Sequence, residues 1–128
     1  MSTESERLKE RTMKFAVIVL RLVDKFPPTA SGQAVGRQLA KSATSVGANY
    51  RGCCNARSRA EFIAKLGIVV EETEESTHWL DVTIQAQLLP TGDVIPARAE
   101  ALELRAIFAS PWALLARISN RHIEYQVR

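Results

Sequence analysis

Ser58-Arg59-Ala60-Glu61 decides how many helices this chain contains. A Ser followed three residues later by Glu has the spacing of a capping box, whose hydroxyl and carboxylate cover backbone N–H groups that the first turn of a helix leaves without partners. A helix therefore begins in the middle of what otherwise reads as one long helical stretch. Working outward, Pro27-Pro28 closes a segment on the N-terminal side, and Leu89-Pro90-Thr91-Gly92-Asp93-Val94-Ile95-Pro96 interrupts the pattern on the C-terminal side. The reading is an all-α chain with helices near residues 5–26, 32–57, 59–89 and 97–125, each end uncertain by about three residues. Short connections between long helices make an antiparallel up-and-down four-helix bundle, one domain over residues 1–128.

Composition agrees with that. Hydrophobic residues at 46% and charged residues at 24% are those of an ordinary globular chain. Met1 to Glu6 is polar and mixed in charge, without the basic start and apolar run of a secretory signal. The longest apolar run, Phe15 to Leu20, falls far short of the roughly 20 residues that span a bilayer, so the expected location is the cytoplasm. Cys53 and Cys54 are adjacent, which makes a mutual disulfide awkward and offers no metal-ligand spacing; they read as reduced packing residues. Charge is divided unevenly: residues 1–65 carry 12 Lys/Arg against 5 Asp/Glu, residues 66–128 carry 5 against 9. A polyanion belongs on the basic half.

Each helix can be tested at 100° per residue. On helix 1, Leu8, Phe15, Val19, Leu22, Val23 and Phe26 form a core line, and Met13, Ala16, Val17 and Leu20 widen the apolar arc to about 220°, more than one core covers. On helix 3, Phe62, Leu66, Val69, Leu80, Ile84 and Leu88 form one stripe, and Ile68, Trp79 and Val82 a second. Leu20, Val17, Ile68, Glu75, Trp79 and Val82 are therefore expected at a subunit interface of a homo-oligomer. The plainer alternative is that Trp79 covers a loop or helix end within one chain. Helix 4 offers Leu104, Ile107, Phe108, Leu114, Leu115 and Ile118 to the core and lines another side with Ala106, Ala109, Ala113 and Ala116; Pro111 should kink or split it near Ala109. Helix 2 is rich in weak helix formers, and Gly36, Ala40, Ala43 and Gly47 share a seam with Asn49 close by, so close helix packing offsets the propensity cost.

The segment Ser42-Ala43-Thr44-Ser45-Val46-Gly47-Ala48-Asn49-Tyr50, with Ser58, Glu61-Phe62 and His78-Trp79-Leu80, resembles the bacterial four-helix bundle protein family. That family includes proteins encoded in intervening sequences of 23S ribosomal RNA genes, and it is similar to the accessory variability determinant of diversity-generating retroelements. The resemblance implies a ring-shaped homopentamer with a basic surface and no enzymatic activity, and, for the retroelement relatives, binding to nucleic acid and a reverse transcriptase. Gly52 stands where an acidic residue is common in the family, so a role tied to that carboxylate does not carry over.

The strongest functional feature is electrostatic. Arg7, Arg11, Lys14, Arg21 and Lys25 fall within about 80° on helix 1, and Arg37, Lys41, Arg51 and Asn55 form a shorter run on helix 2. The first stripe spans roughly 27 Å, enough to track several phosphates of RNA or DNA. A merely solvated helix face is the bland alternative, and Glu4, Glu10 and Asp24 dilute the potential. No aromatic residue interleaves the stripe, so stacking on single-stranded bases has no support. Glu75-Ser76-Thr77-His78 is a Glu-x-x-His pair of the kind di-iron bundles use twice, but it occurs once, and His78 lies with Glu71, Glu74, Asp81 and Gln85 on a polar side. His122 has Ser119 before it and cannot complete a second pair. No metal and no cofactor is expected, and Glu71, Glu72, Glu74 and Glu75 read as a solvated acidic face. The expectation is a non-catalytic nucleic-acid-binding oligomer, with a protein-binding scaffold as the rival and a metal-dependent enzyme as the remote alternative.

Overall fold

A computed structural model of the chain describes residues 3–110, and these form four α-helices with no strand among them: α1 (Glu4–Val23), α2 (Ala30–Cys54), α3 (Arg59–Gln85) and α4 (Thr91–Ala109). Three helices start on a hydroxyl. Thr3 makes a closed capping box, accepting from the Glu6 N–H at 3.2 Å while its own N–H donates to the Glu6 carboxylate at 3.3 Å. Thr29 accepts from the Gly32 N–H at 3.0 Å to open α2. Ser58 accepts from the Glu61 N–H at 3.0 Å, but the Glu61 carboxylate reaches one residue further back, to the Arg57 N–H at 3.4 Å. The box at Ser58 is thus a shifted one; the closed box is at Thr3-x-x-Glu6, which the sequence reading did not single out.

The connection before α4 corrects the sequence reading. The helix begins at Thr91, six residues ahead of the expected start, with Pro90 at its N-cap and Pro96 inside it. Proline within a helix costs a hydrogen bond to the carbonyl four residues back. Here that carbonyl belongs to Gly92, an exposed residue with open space around it, so water can serve the orphaned oxygen. Val94 and Ala97, both buried, anchor these first turns to the core. The other end of α3 also falls earlier than expected, at Gln85. Gln87 adopts a left-handed φ of 55°, the Leu88 N–H donates to the Thr83 carbonyl at 3.0 Å, and the Gln87 N–H donates to Ile84 at 3.1 Å, a Schellman motif. α4 stops at Ala109 because Ser110, extended, precedes Pro111. The expected continuation to residue 125, with Ala113, Leu114, Leu115, Ala116, Ile118 and His122, lies outside the described residues.

Helices adjacent in the chain pack side by side, α4 returns to α1, and the backbones of the diagonal pairs α1/α3 and α2/α4 stay apart among the described residues, the latter pair meeting in the core through the Tyr50 and Phe108 rings. Leu8, Phe15, Val19 and Leu22 of the expected α1 line and Phe62, Leu66, Val69 and Leu80 of the expected α3 stripe are buried, as are Val35, Leu39, Val46, Tyr50 and Cys53 of α2, whereas Val23, Phe26, Ile84 and Leu88 are half-buried. α1 crosses α2 at its glycines. A Cβ on Gly47 would sit 3.0 Å from the Thr12 hydroxyl, and one on Gly36 would sit 3.3 Å from Val23. Ala43 is buried and Ala40 half-buried on the same seam. Between α2 and α3, buried Ser42 and Ser76 face each other with their hydroxyl oxygens 3.1 Å apart. Ser42 also donates to the Leu39 carbonyl and Ser76 to the Glu72 carbonyl, so neither buried oxygen lacks a partner.

Candidate nucleic-acid interface

The two faces of α1 that touch neighbours fix where its remaining side chains point. Thr12 and Val23 lie against α2, whereas Arg11 turns to α4. A helix advances about 100° per residue, so Met13, Lys14, Val17, Ile18, Leu20 and Arg21 must face outward, and all six are exposed. They divide into two strips. Met13, Val17 and Leu20 form an apolar ridge on the α2 side, 53%, 40% and 40% exposed. Lys14, Ile18 and Arg21 lie on the α4 side, Ile18 46% exposed.

The candidate cations therefore have unequal standing. Arg7 pairs with Glu4 one turn away at 3.5 Å. Arg11 is committed to α4: its Nε and Nη2 donate to the two Glu100 oxygens at 2.8 Å each, and Nη2 also meets Glu103 at 2.8 Å. These carboxylates hold the guanidinium charge still more firmly than usual. Lys14, Arg21, Arg37 and Arg51 are exposed and make no ion pair among the described residues, as does Lys25, which lies beyond the last residue of α1. Asn55 is the C-cap of α2. Lys41 lies near enough to Glu72 to stabilise its charge, but burial and, secondly, Glu75 outweigh it and hold the Glu72 pKa above the ordinary carboxylate value.

Two carboxylates of α3 are tied down by α4. Arg105 donates to Glu74 at 2.8 Å and Arg98 to Asp81 at 2.5 Å. With the Arg11 fork on its other flank, α4 is fastened by charge on both sides. Sequence reading missed these pairs because a helical wheel shows which residues share a face, not which face lies opposite. The spacings Arg98/Arg105 and Glu100/Glu103 were the available signal.

On α3, Ile68 is 41% exposed, Glu75 is exposed and Val82 is half-buried. Trp79 is half-buried against the core of its own chain, so part of its area serves the bundle itself. Its indole N–H is buried with no acceptor among the described residues, and exposed His78 packs edge-on against the ring at 4.8 Å between centroids. His78 meets no metal-ligating set: among the described residues no three His, Cys, Asp or Glu side chains converge. Cys53 is buried and Cys54 half-buried. Tyr50 stacks on Phe108 at 5.0 Å, and burial, then the neighbouring Cys54 thiol, pushes its hydroxyl far above the usual range. No described helix is long and apolar enough to cross a membrane.

Residues 4–110, all four described helices, match the 23S rRNA-intervening sequence protein family. The chain belongs to that family. It is similar to a crystal structure from Bacteroides thetaiotaomicron, of a protein with unknown function from the S23 ribosomal protein family. The two share 28% identity over 78% of this chain and 93% of that one, with a TM-score of 0.70. No curated protein matches the chain. The segment that carries the resemblance to the family is architectural in this structure: Ser42 meets Ser76 in the core, Gly47 admits Thr12, and Asn49 donates to the Ser45 carbonyl of its own helix at 2.8 Å.

Proposed function

We propose that this is a non-catalytic, cytoplasmic, oligomeric protein that binds the phosphate backbone of RNA or DNA through α1 and α2. A ring of five copies is the assembly that the family resemblance implies. One observation carries the binding reading. The fixed interhelical ion pairs engage α4 with α1 and α3, while Lys14, Arg21, Lys25, Arg37 and Arg51 stay exposed and unpaired among the described residues. Cations with no internal partner are free to displace counterions from a polyanion. Glu10 and Asp24, also exposed on this side, keep the surface from being uniformly positive.

The test is retention on duplex DNA or structured RNA across a salt series. Affinity should fall by about 0.9 log units per log unit of salt for each phosphate neutralised. No retention at low salt ends the nucleic-acid reading. Recovery of one defined protein partner after nuclease treatment would favour the scaffold instead. The exposed ridge Met13, Val17 and Leu20 supports self-association, and light scattering of the native protein reads that directly.

A further inference from the structure

We propose that the groove between the end of α1 and the start of α2 binds a small amphipathic carboxylate, an acid with a single charge and an apolar tail. The site shares only Arg37 with the cations assigned to a polyanion, and it stands whether or not nucleic acid binds.

The chain builds this groove locally. After α1 the Lys25 N–H donates to the Leu22 carbonyl at 2.9 Å and the Phe26 N–H to the Val23 carbonyl at 3.0 Å, a tightened turn that keeps Phe26 beside Val23. Both side chains pack on the core, which fixes them as one wall. Pro27 and Pro28, whose rings lock φ, continue that wall. The opposite wall is a face of α2 on which Gly32, Gly36 and Ala40 recur every four residues, so nothing larger than a methyl group stands on that line. A Cβ on Gly36 would point at the Val23 and Phe26 side chains from 3.3 and 3.5 Å, and any larger residue there would project into the groove.

Size and charge select the ligand. The groove encloses about 390 Å³. At the roughly 30 Å³ that a water occupies in the liquid, that is room for about a dozen non-hydrogen atoms. The lining is apolar apart from Gln33 and Arg37, which are four residues apart on α2 and so neighbours on its surface. Arg37 is the one charged residue of the described lining; it is exposed and makes no ion pair among the described residues, and the first turn of α2 holds no acid. Apolar walls with one unpaired guanidinium call for an apolar body with one negative head. The planar fork of Arg37 matches a carboxylate with two parallel hydrogen bonds, and the Gln33 amide can donate another. A phosphate monoester would bring a charge of about −1.5 to −2, more than one guanidinium balances. Walls held by prolines and core packing need little reordering on binding, which favours affinity.

Octanoate is the probe, and octanol is the same tail without the charge. Calorimetric titration of the full chain should show octanoate binding roughly tenfold more tightly than octanol, the difference a charge-assisted hydrogen-bond pair makes. In amide NMR spectra, octanoate should shift the Gly32 and Gly36 signals and leave that of Gly67 on α3 in place. Arg37→Gln should reduce octanoate affinity to that of octanol without changing octanol binding. Gln33→Trp, which fills the groove from an exposed position, should abolish both. Arg59→Gln, at the far end of the bundle, should alter neither, and helical circular dichroism checks that each variant folds. Equal affinity of wild type for octanoate and octanol would mark a groove suited to an apolar side chain of another protein and overturns the proposal. So does undiminished octanoate binding by Arg37→Gln or Gln33→Trp, or the absence of both heat and glycine shifts at a millimolar excess.

Discussion

Single residues in this bundle are decided by what a Cβ or a proton would meet. Gly67 is mid-helix and exposed with nothing near it, so Gly67→Ala should stabilise by about 1 kcal/mol through helix propensity alone. The same change at Gly32 should do the reverse. A Cβ there would lie 2.1 Å from the Pro27 carbonyl oxygen, a backbone atom that cannot swing away, and a loss of about 1–3 kcal/mol is expected. Gln87 offers the mirror case, since its φ of 55° strains any residue with a Cβ. Gln87→Gly should add about 1 kcal/mol, and urea midpoints for the three variants check all of this. Two carboxylates should titrate in opposite senses. Burial raises the Glu72 pKa, so its charged form weakens the fold at neutral pH and the penalty fades as pH falls through that raised value. Glu72→Gln should stabilise near pH 7 and be neutral near pH 3. Glu61 is lowered by Lys65 and then by the Arg57 N–H, so its contribution is present above the ordinary carboxylate value and lost as pH falls through the lowered one. Glu61→Gln should therefore destabilise near pH 7 and not near pH 3.

At the scale of helices, sequence was legible wherever a local rule governs. The four helices follow from Pro27-Pro28, the cap at Ser58 and the break after Leu89, and the core lines of α1, α2 and α3 follow from a period of 3.6. The start of α4 was not legible because Pro96 reads as a breaker, and only the tertiary burial of Val94 shows why the helix runs through it. Buried Thr12, Ser42, Thr73, Ser76 and Thr83 escaped for a related reason: hydroxyls count as polar on a wheel, yet all five donate to carbonyls of their own helices and enter the core at little cost. The ion pairs that hold α4 belong to the same class of cross-helix facts. Arg11 binds two carboxylates with a planar fork, which the compact ammonium of Lys cannot copy. Arg11→Lys should then lose about 1 kcal/mol, less at high salt because the site is partly exposed, and the thermal midpoint at low and high ionic strength reads both effects.

For the whole molecule, internal pairing of charge sorts the basic residues that sequence alone treats as one stripe. Arg11 and Lys14 are neighbours in the chain and equal in formal charge, but Arg11 is held by Glu100 and Glu103 while Lys14 faces solvent unpaired among the described residues. A paired guanidinium brings no net positive charge to a phosphate and must break its fork to reach one. An unpaired ammonium releases a counterion from the polyanion at once. Lys14→Gln and Arg21→Gln should each lower the salt slope of nucleic-acid binding by about 0.9 and weaken binding to all sequences alike, leaving the thermal midpoint in place. Arg11→Gln should lower the midpoint and leave the slope unchanged. If Arg11→Gln flattens the slope as much as Lys14→Gln does, the fork is not closed when nucleic acid is bound, and α4 must loosen from α1 in the complex. Slope and midpoint together therefore locate the bound surface on the bundle with three point variants.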